Sequence, residues 1–151
     1  MNRLEVPSSH YDGVGKVAVA AAKLEAMLGR VLVAARLADV GDDWLDATTK
    51  RPLEVLKKGR RKFPTGHPVR DLYAQSRKAL NDRNRIVHSL AYFDGDLADW
   101  VLVHPKSGQD IPMPTSAEFE ELRTRLNMLS AKCLHVENLI LADSVRTEEA
   151  R

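Results

Sequence analysis

The sequence is poor in the residues on which disulfide-bonded, metal-binding and membrane-spanning proteins depend. Its 151 residues include one cysteine, Cys133, which has no partner for an internal disulfide, and no Cys or His cluster has metal-ligand spacing. The most apolar stretch, residues 14–38, is interrupted by five charged side chains, which argues against a membrane span. The first thirteen residues lack the apolar run of a signal peptide. We therefore expect a cytoplasmic protein with no metal, no cofactor and no membrane segment.

Net charge is also small, at +2, but its distribution is uneven. Residues 50–85 contain twelve basic and three acidic side chains, whereas the remainder contains eleven basic and eighteen acidic ones. Such segregation gives a nearly neutral protein a positive face that attracts a polyanion such as nucleic acid. The alternative interpretation is a solvated helix face that meets an acidic partner.

Helical periodicity dominates both ends of the chain. Between residues 14 and 38, apolar side chains recur at alternating steps of three and four, and Gly41 marks the expected end of this first helix. Residues 119–140 repeat the pattern in a closing helix. Thr115, followed three residues later by Glu118, predicts a capping box at its start.

Two shorter helices and a hairpin are predicted between these long segments. One helix begins near Pro52, and a longer one covers residues 69–89. Residues 90–93 and 100–104 have β-type composition and predict a β-hairpin. Residues 109–112 favour a third short extended piece.

These elements together predict an all-α fold. We expect an antiparallel bundle of four to five helices, with a small β-hairpin inserted before the last long helix. A chain of this length suits one domain, here residues 1–151, with a core from about 10 to 145.

One position in the helix at residues 69–89 contradicts its own apolar pattern. Projection at about 100° per residue places Arg83 near the middle of an apolar stripe. The stripe consists of Val69, Leu72, Ser76, Ala79, Ile86, Val87 and Leu90. A guanidinium buried there without a partner is costly, so Arg83 must either face a wet cavity or pair with an acid. Glu25, beside the apolar seam of the first helix, is the candidate structural partner, and one interpretation of Arg83 is a structural ion pair alone.

Two further polar residues lie beside this stripe. Asn84 and His88 are four residues apart and share one helix face. His88 lies about 140° around the helix from Arg83, so one helix cannot present both on a narrow face. A second copy of the helix, packed against the first, would bring these groups together.

Residues 83–88, Arg-Asn-Arg-Ile-Val-His, resemble the signature of the HEPN superfamily (higher eukaryote and prokaryote nucleotide-binding domains). That signature is an arginine, usually followed by a polar residue, and then a histidine after four to six intervening residues. Here four residues intervene and the polar residue is Asn84. The setting, late in an inner helix of a helical bundle, extends the resemblance over roughly residues 10–145, although six residues carry it.

The resemblance implies an activity and its site. Members with an intact motif are commonly metal-independent endoribonucleases, often in toxin–antitoxin or antiphage systems, and usually act as dimers with two motifs meeting at the interface. By this resemblance Arg83, Asn84 and His88 are the candidate catalytic residues. Histidine can move a proton at the ribose, while arginine stabilises the phosphorane charge. The expected products are a 2′,3′-cyclic phosphate and a 5′-hydroxyl.

The expected partners follow from the same resemblance and from the charge. RNA is the expected substrate, a second copy completes the site, and a cognate antitoxin or a nucleotidyltransferase-type protein is a further expected partner. The candidate RNA-backbone contacts are Lys57, Lys58, Arg60, Arg61, Lys62, Arg70 and Arg77. The alternative is a non-catalytic HEPN-like module that binds RNA, a nucleotide or a protein.

Overall fold

The computed structural model describes residues 5–37, 43, 46–47 and 51–150. Within them the chain is mostly helical, 69%, with a small antiparallel sheet before the last helix, as the sequence predicts. The helices are α1 (Ser8–Ala34), α2 (Pro52–Gly59), α3 (Pro68–Val87) and α4 (Ser116–Glu149), and a 3₁₀ turn spans Arg60–Lys62. The strands are β1 (Leu90–Asp94), β2 (Asp99–Val103) and β3 (Asp110–Pro112). None of the helices in this part of the chain is long and apolar enough to cross a membrane.

Helix α1 ends earlier than its apolar pattern predicts. The expected continuation beyond Ala34 is wrong, because Arg36 adopts a left-handed conformation with φ 52°. The backbone N–H of Leu37 then donates to the carbonyl of Leu32 at 2.8 Å, a closure that satisfies a free carbonyl at the helix end. The expected stop at Gly41 lies outside the described residues.

Helix α4 begins with the capping box that the sequence predicts. The Thr115 hydroxyl accepts from the backbone N–H of Glu118 at 3.2 Å, and the Glu118 carboxylate accepts from the N–H of Thr115 at 2.7 Å. The exchange satisfies two N–H groups that the first turn of a helix otherwise leaves free.

Helices α1 and α4 run parallel along most of their length. The rings of His10 and Phe119 lie 5.6 Å apart at one end, and Arg30 pairs with Glu137 at 3.1 Å further along both helices. The difference in residue number between the contacting residues is nearly the same at both points, so the two helices run in the same direction. The first and last long helices of the bundle are therefore parallel to each other.

Helix α3 is antiparallel to α4. Its early residue Asp71 pairs with Lys132, whereas the later Asp82 pairs with Arg125 at 2.6 Å, so the order of partners reverses. The C-terminal end of α3 consequently points toward the end of the bundle where α1 and α4 begin.

The core lies among α1, α3 and α4. Fully buried side chains include Leu24, Leu28, Leu72, Leu126 and Cys133, and burying each leucine stabilises the fold by roughly 1.5–3 kcal/mol relative to exposure.

The buried face of α3 is wider than the projected stripe. It also includes Tyr73 and Leu80, whereas Leu90 is 64% exposed. Leu90 leaves the stripe because α3 ends at Val87 and the chain turns into β1.

The sheet has the strand order β1-β2-β3, with both pairs antiparallel. In the hairpin Leu90 lies opposite Val103 and Tyr92 opposite Val101, so these four side chains share one face. Leu102 belongs to the other face and is fully buried. The third piece predicted from the sequence is β3.

Candidate functional site at the end of helix α3

The Arg-Asn-x-x-x-His motif occupies the last turn of α3. His88 is the C-cap residue, with φ −98° and ψ 1°, and its backbone N–H donates to the Asn84 carbonyl at 3.2 Å. The side chains of Asn84 and His88 are both exposed. This end of the helix therefore presents an amide and an imidazole to solvent, one turn apart.

Arg83 points the opposite way, toward α1. Its Nη2 donates to Oε1 of Glu25 at 2.9 Å, which is the contact that the helix projection suggested. The Arg83 side chain is 17% exposed and that of Glu25 is 39% exposed, so the pair lies at the edge of the core. The Nε–H of Arg83 is buried and has no hydrogen-bond partner within the described residues.

A second ion pair fixes the same turn of α3 against α4. Asp82, the residue before Arg83, accepts from Nη2 of Arg125 at 2.6 Å, with both side chains about one-third exposed. Charged residues thus hold the motif turn on two sides, toward α1 and toward α4. Asn84 and His88 are left on the outer side.

Within one chain the three motif residues therefore do not converge. Arg83 faces inward while Asn84 and His88 face outward, as the angle of about 140° between positions 83 and 88 requires. One copy therefore presents an exposed imidazole on one side of α3 and a largely buried cation on another. A substrate phosphate held by both needs either a rearranged Arg83 or groups from another molecule.

The predicted RNA-binding residues divide into engaged and free groups. Arg60 stacks its guanidinium 4.0 Å above the Tyr73 ring, Arg70 donates from Nε to the Phe63 carbonyl at 2.8 Å, and Lys57 pairs with Glu54 at 3.8 Å. The other four are Lys58, Arg61, Lys62 and Arg77, which are exposed and form no ion pair within the part of the chain that the structure describes.

The basic cluster and the motif occupy different ends of α3. Tyr73, against which Arg60 stacks, precedes Arg83 by ten residues, or about 15 Å of helix. Arg77 lies between the two ends and is exposed. The positive charge thus extends along α3, and the exposed Arg85 carries it into the motif turn itself.

An acidic hairpin, which the sequence reasoning overlooked, follows the motif directly. Asp94, Asp96, Asp99 and Asp110 are carried by β1, its turn, β2 and β3. The Tyr92 hydroxyl donates to Asp110 at 2.8 Å, and this hydrogen bond raises the pKa of Tyr92. The signal was present in the sequence as four aspartates within seventeen residues.

The remaining nucleophile and ligand candidates are few. Burial raises the pKa of the Cys133 thiol to about 12, so the thiol stays protonated and unreactive at neutral pH. Among residues 5–37, 43, 46–47 and 51–150, no three His, Cys, Asp or Glu side chains gather closely enough to hold a metal ion.

Comparison of the chain with protein-family models, with curated proteins and with solved structures finds no match. The functional argument consequently rests on the motif, on its geometry and on the charges around it.

Proposed function

We propose that this chain is a metal-independent endoribonuclease of the HEPN type, with Arg83, Asn84 and His88 as its catalytic residues. The observation that carries the proposal is the placement of the motif. An exposed Asn84–His88 pair closes an inner helix, and the arginine beside it is held by Glu25 at 2.9 Å. The helical part of the chain would then be a HEPN-like bundle.

The chemistry assigns a role to each residue. His88 moves a proton at the ribose 2′-hydroxyl or at the leaving oxygen, because histidine is the side chain suited to proton transfer near neutral pH. Arg83 stabilises the charge that accumulates on the phosphorane, and Asn84 orients the imidazole or holds a phosphate oxygen. The exposed cations Lys58, Arg61, Lys62 and Arg77 attract the RNA backbone without reading its sequence.

A second copy completes the site in this proposal, because one chain holds Arg83 and His88 on different sides of α3. The corresponding biological role is that of a toxin or phage-defence component in the cytoplasm. An antitoxin or a nucleotidyltransferase-type protein is the accompanying partner.

One observation favours a non-catalytic alternative, in which the bundle binds RNA, a nucleotide or a protein without cleaving anything. The Arg83 guanidinium is already bound by the Glu25 carboxylate, and the Arg83 side chain is only 17% exposed. An arginine kept in that ion pair is not free to contact a phosphate. Tight RNA binding with unchanged RNA length would support this function.

An assay of RNA cleavage in EDTA distinguishes the endoribonuclease from the non-catalytic binding module. We expect the wild-type protein to cut single-stranded RNA without metal and to leave 2′,3′-cyclic phosphate ends. We expect His88→Ala and Arg83→Ala each to cut at least about a hundredfold more slowly, which is the scale of a lost general acid or base for His88 and of a lost charge-stabilising group for Arg83. His135 is also exposed but lies on α4. His135→Ala is therefore the matched control and should cut at the wild-type rate.

Two results would contradict the proposal. One is intact RNA after prolonged incubation with the wild-type protein. The other is equal cleavage by the wild type and by both motif variants, which would indicate a contaminating nuclease.

A further inference from the structure

One histidine outside the motif lies at the base of the hairpin that follows it. His104 is the first residue after β2, and its backbone N–H donates to the Gln109 carbonyl at 3.0 Å. Strand β2 pairs with β1 so that Val103 lies opposite Leu90, the first residue of β1. The hairpin therefore returns His104 to the end of the sheet at which helix α3 and its motif end.

Chain connectivity limits the distance between His104 and the motif histidine. His88 caps α3 two residues before Leu90, and His104 directly follows Val103. Opposed strand residues lie about 5 Å apart and each residue along the chain adds less than about 4 Å, so the two histidine Cα atoms are at most about 17 Å apart. Because each imidazole extends several ångströms from its backbone, a single phosphodiester can lie between the two rings.

The other three histidines lie elsewhere in the fold. His67 caps the start of α3, about 30 Å along that helix from His88. His10 is buried in the first turns of α1, and His135 is exposed in the middle of α4. His104 is therefore the histidine that the hairpin brings toward the motif.

The loop after β2 holds the His104 ring through its Nδ1. The Ser107 hydroxyl lies 3.4 Å from Nδ1 and can donate to it or accept from it, so this contact suits both protonation states of the ring. The same hydroxyl accepts from the backbone N–H of Gln109 at 3.3 Å, and the N–H of Gly108 donates to the His104 carbonyl at 2.8 Å. With Nδ1 engaged by the loop, the ring offers Nε2 to a substrate.

Cleavage of RNA to a 2′,3′-cyclic phosphate requires two proton transfers, on opposite sides of the phosphorus. A base takes the proton of the 2′-hydroxyl while its oxygen bonds to phosphorus, and an acid protonates the 5′-oxygen while its bond to phosphorus breaks. The motif supplies one histidine per chain for these two transfers. The hairpin supplies a second imidazole, on a different element from the first.

We propose that His104 is the second proton-transfer group of the site. It gives a proton from Nε2 to the leaving 5′-oxygen, while His88 takes the proton of the 2′-hydroxyl. One P–O bond forms, one breaks, and both rings return to their starting states by proton exchange with water. The backbone N–H of Ser107, 3.4 Å from Nδ1, can donate only to the neutral ring, which is the state that His104 reaches once its proton has left.

This inference rests on the proposed function and deepens it, because it divides between two side chains the proton transfers that would otherwise fall to His88. The second copy still completes the site in this arrangement, since it brings an Arg83 to the phosphate between the two rings.

Two substrates that differ in their leaving group test the role of His104. Once the cut site of the wild type is mapped, an RNA of the same sequence is made with sulfur in place of the 5′-oxygen at that site. This RNA releases a thiolate, which leaves without a proton. His104→Ala should cut ordinary RNA at least about a hundredfold more slowly than the wild type, yet should cut the sulfur-containing RNA at close to the wild-type rate.

Two other variants complete the comparison, with all rates measured in EDTA. His88→Ala should be slow on both substrates, because both reactions begin at the 2′-hydroxyl. Lys106→Ala changes an exposed residue of the same loop and should cut both substrates at the wild-type rate. Retained cleavage of the sulfur-containing RNA by His104→Ala also shows that this variant is folded.

Binding gives a second measurement that needs no cleavage. An RNA with 2′-deoxyribose at the cut site lacks the attacking hydroxyl and stays intact. When it binds the wild-type protein, the imidazole proton signals of both His88 and His104 should shift in NMR spectra, whereas that of His135 should not.

Three results would overturn the inference and leave the proposed enzyme standing. They are wild-type cleavage of RNA by His104→Ala, an equal loss of rate by this variant on both substrates, and an unchanged His104 signal when the deoxy-substituted RNA binds. Intact RNA after incubation with the wild-type protein is a different outcome, which would refute the proposed enzyme and with it the role of His104 in cleavage.

Discussion

At the residue scale, Arg83 combines a structural contact with the position of a catalytic cation. Its ion pair with Glu25 ties α3 to α1 at 2.9 Å, and its Nε–H remains unsatisfied in a buried position. A phosphate that reached this end of α3 could satisfy that donor. His88 has no such structural duty, because its side chain is exposed.

This difference predicts how the two residues affect stability. Arg83→Ala should lower the free energy of unfolding by about 1–3 kcal/mol, since it removes a charged hydrogen bond at the core edge. The exposure of Glu25, 39%, keeps the loss below that of a fully buried pair. His88→Ala should change the free energy by no more than about 0.5 kcal/mol.

Urea denaturation of both variants checks this prediction, with Glu25→Gln as a third variant that keeps the size of the partner. We expect Glu25→Gln to lower the free energy of unfolding, as Arg83→Ala does. A loss of stability in His88→Ala as large as that in Arg83→Ala would show that His88 is a structural residue, and the catalytic assignment would lose its basis.

At the scale of the elements, local signals predicted much of the fold. The capping box at Thr115, the proline start at Pro52 and the β-type composition of β1 and β2 are each set by neighbours in sequence, and all three match the structure. The early end of α1 has no such signal, because Arg36 takes a left-handed conformation that usually belongs to glycine.

The candidate site was likewise predictable from the sequence only where local helix geometry determines it. Helix geometry alone separates Arg83 from His88. The engagement of Arg60 with Tyr73 and of Arg70 with Phe63 depends on how α2 packs on α3, and periodicity does not contain that information. The parallel course of α1 and α4 is likewise a tertiary choice.

The close contact between α1 and α4 predicts opposite effects on stability for alanine at two glycines of α1. A Cβ at Gly13 would lie 2.4 Å from the Phe119 ring, whereas a Cβ at Gly15 would meet nothing within 4 Å. Gly13→Ala should therefore destabilise the protein by about 1–3 kcal/mol through overpacking. Gly15→Ala should stabilise it by about 0.5–1 kcal/mol, because alanine favours the helix.

Thermal or urea unfolding of these two variants side by side measures the closeness of the helices. Equal stability of Gly13→Ala and Gly15→Ala would contradict the close approach of the Phe119 ring to Gly13.

At the scale of the whole molecule, charge is arranged along α3. Cations of α2, the 3₁₀ turn and the N-terminal half of α3 lie toward one end, and the motif with its acidic hairpin lies at the other. RNA attracted by the basic end would have to run along α3 to reach His88. Binding and cleavage should consequently be separable by mutation.

Removal of the exposed cations tests that separation. The triple variant Lys58→Ala, Arg61→Ala, Lys62→Ala should weaken RNA binding. The plot of log binding constant against log salt concentration should become less steep by about 2, since each phosphate contact with a single strand contributes about 0.7 to the steepness. The cleavage rate at saturating protein should stay near the wild-type rate. Lys106→Ala, an exposed lysine of the β2–β3 loop, is the control. An unchanged salt slope in the triple variant would remove this cluster from the RNA path.

The most direct test of the central claim is the single-turnover rate of RNA cleavage in EDTA by His88→Ala, compared with His135→Ala at matched stability. We predict that His88→Ala cuts at least about a hundredfold more slowly, while His135→Ala retains the wild-type rate. Equal rates for the two histidine variants, or no cleavage by the wild type, would contradict a ribonuclease site at the end of α3.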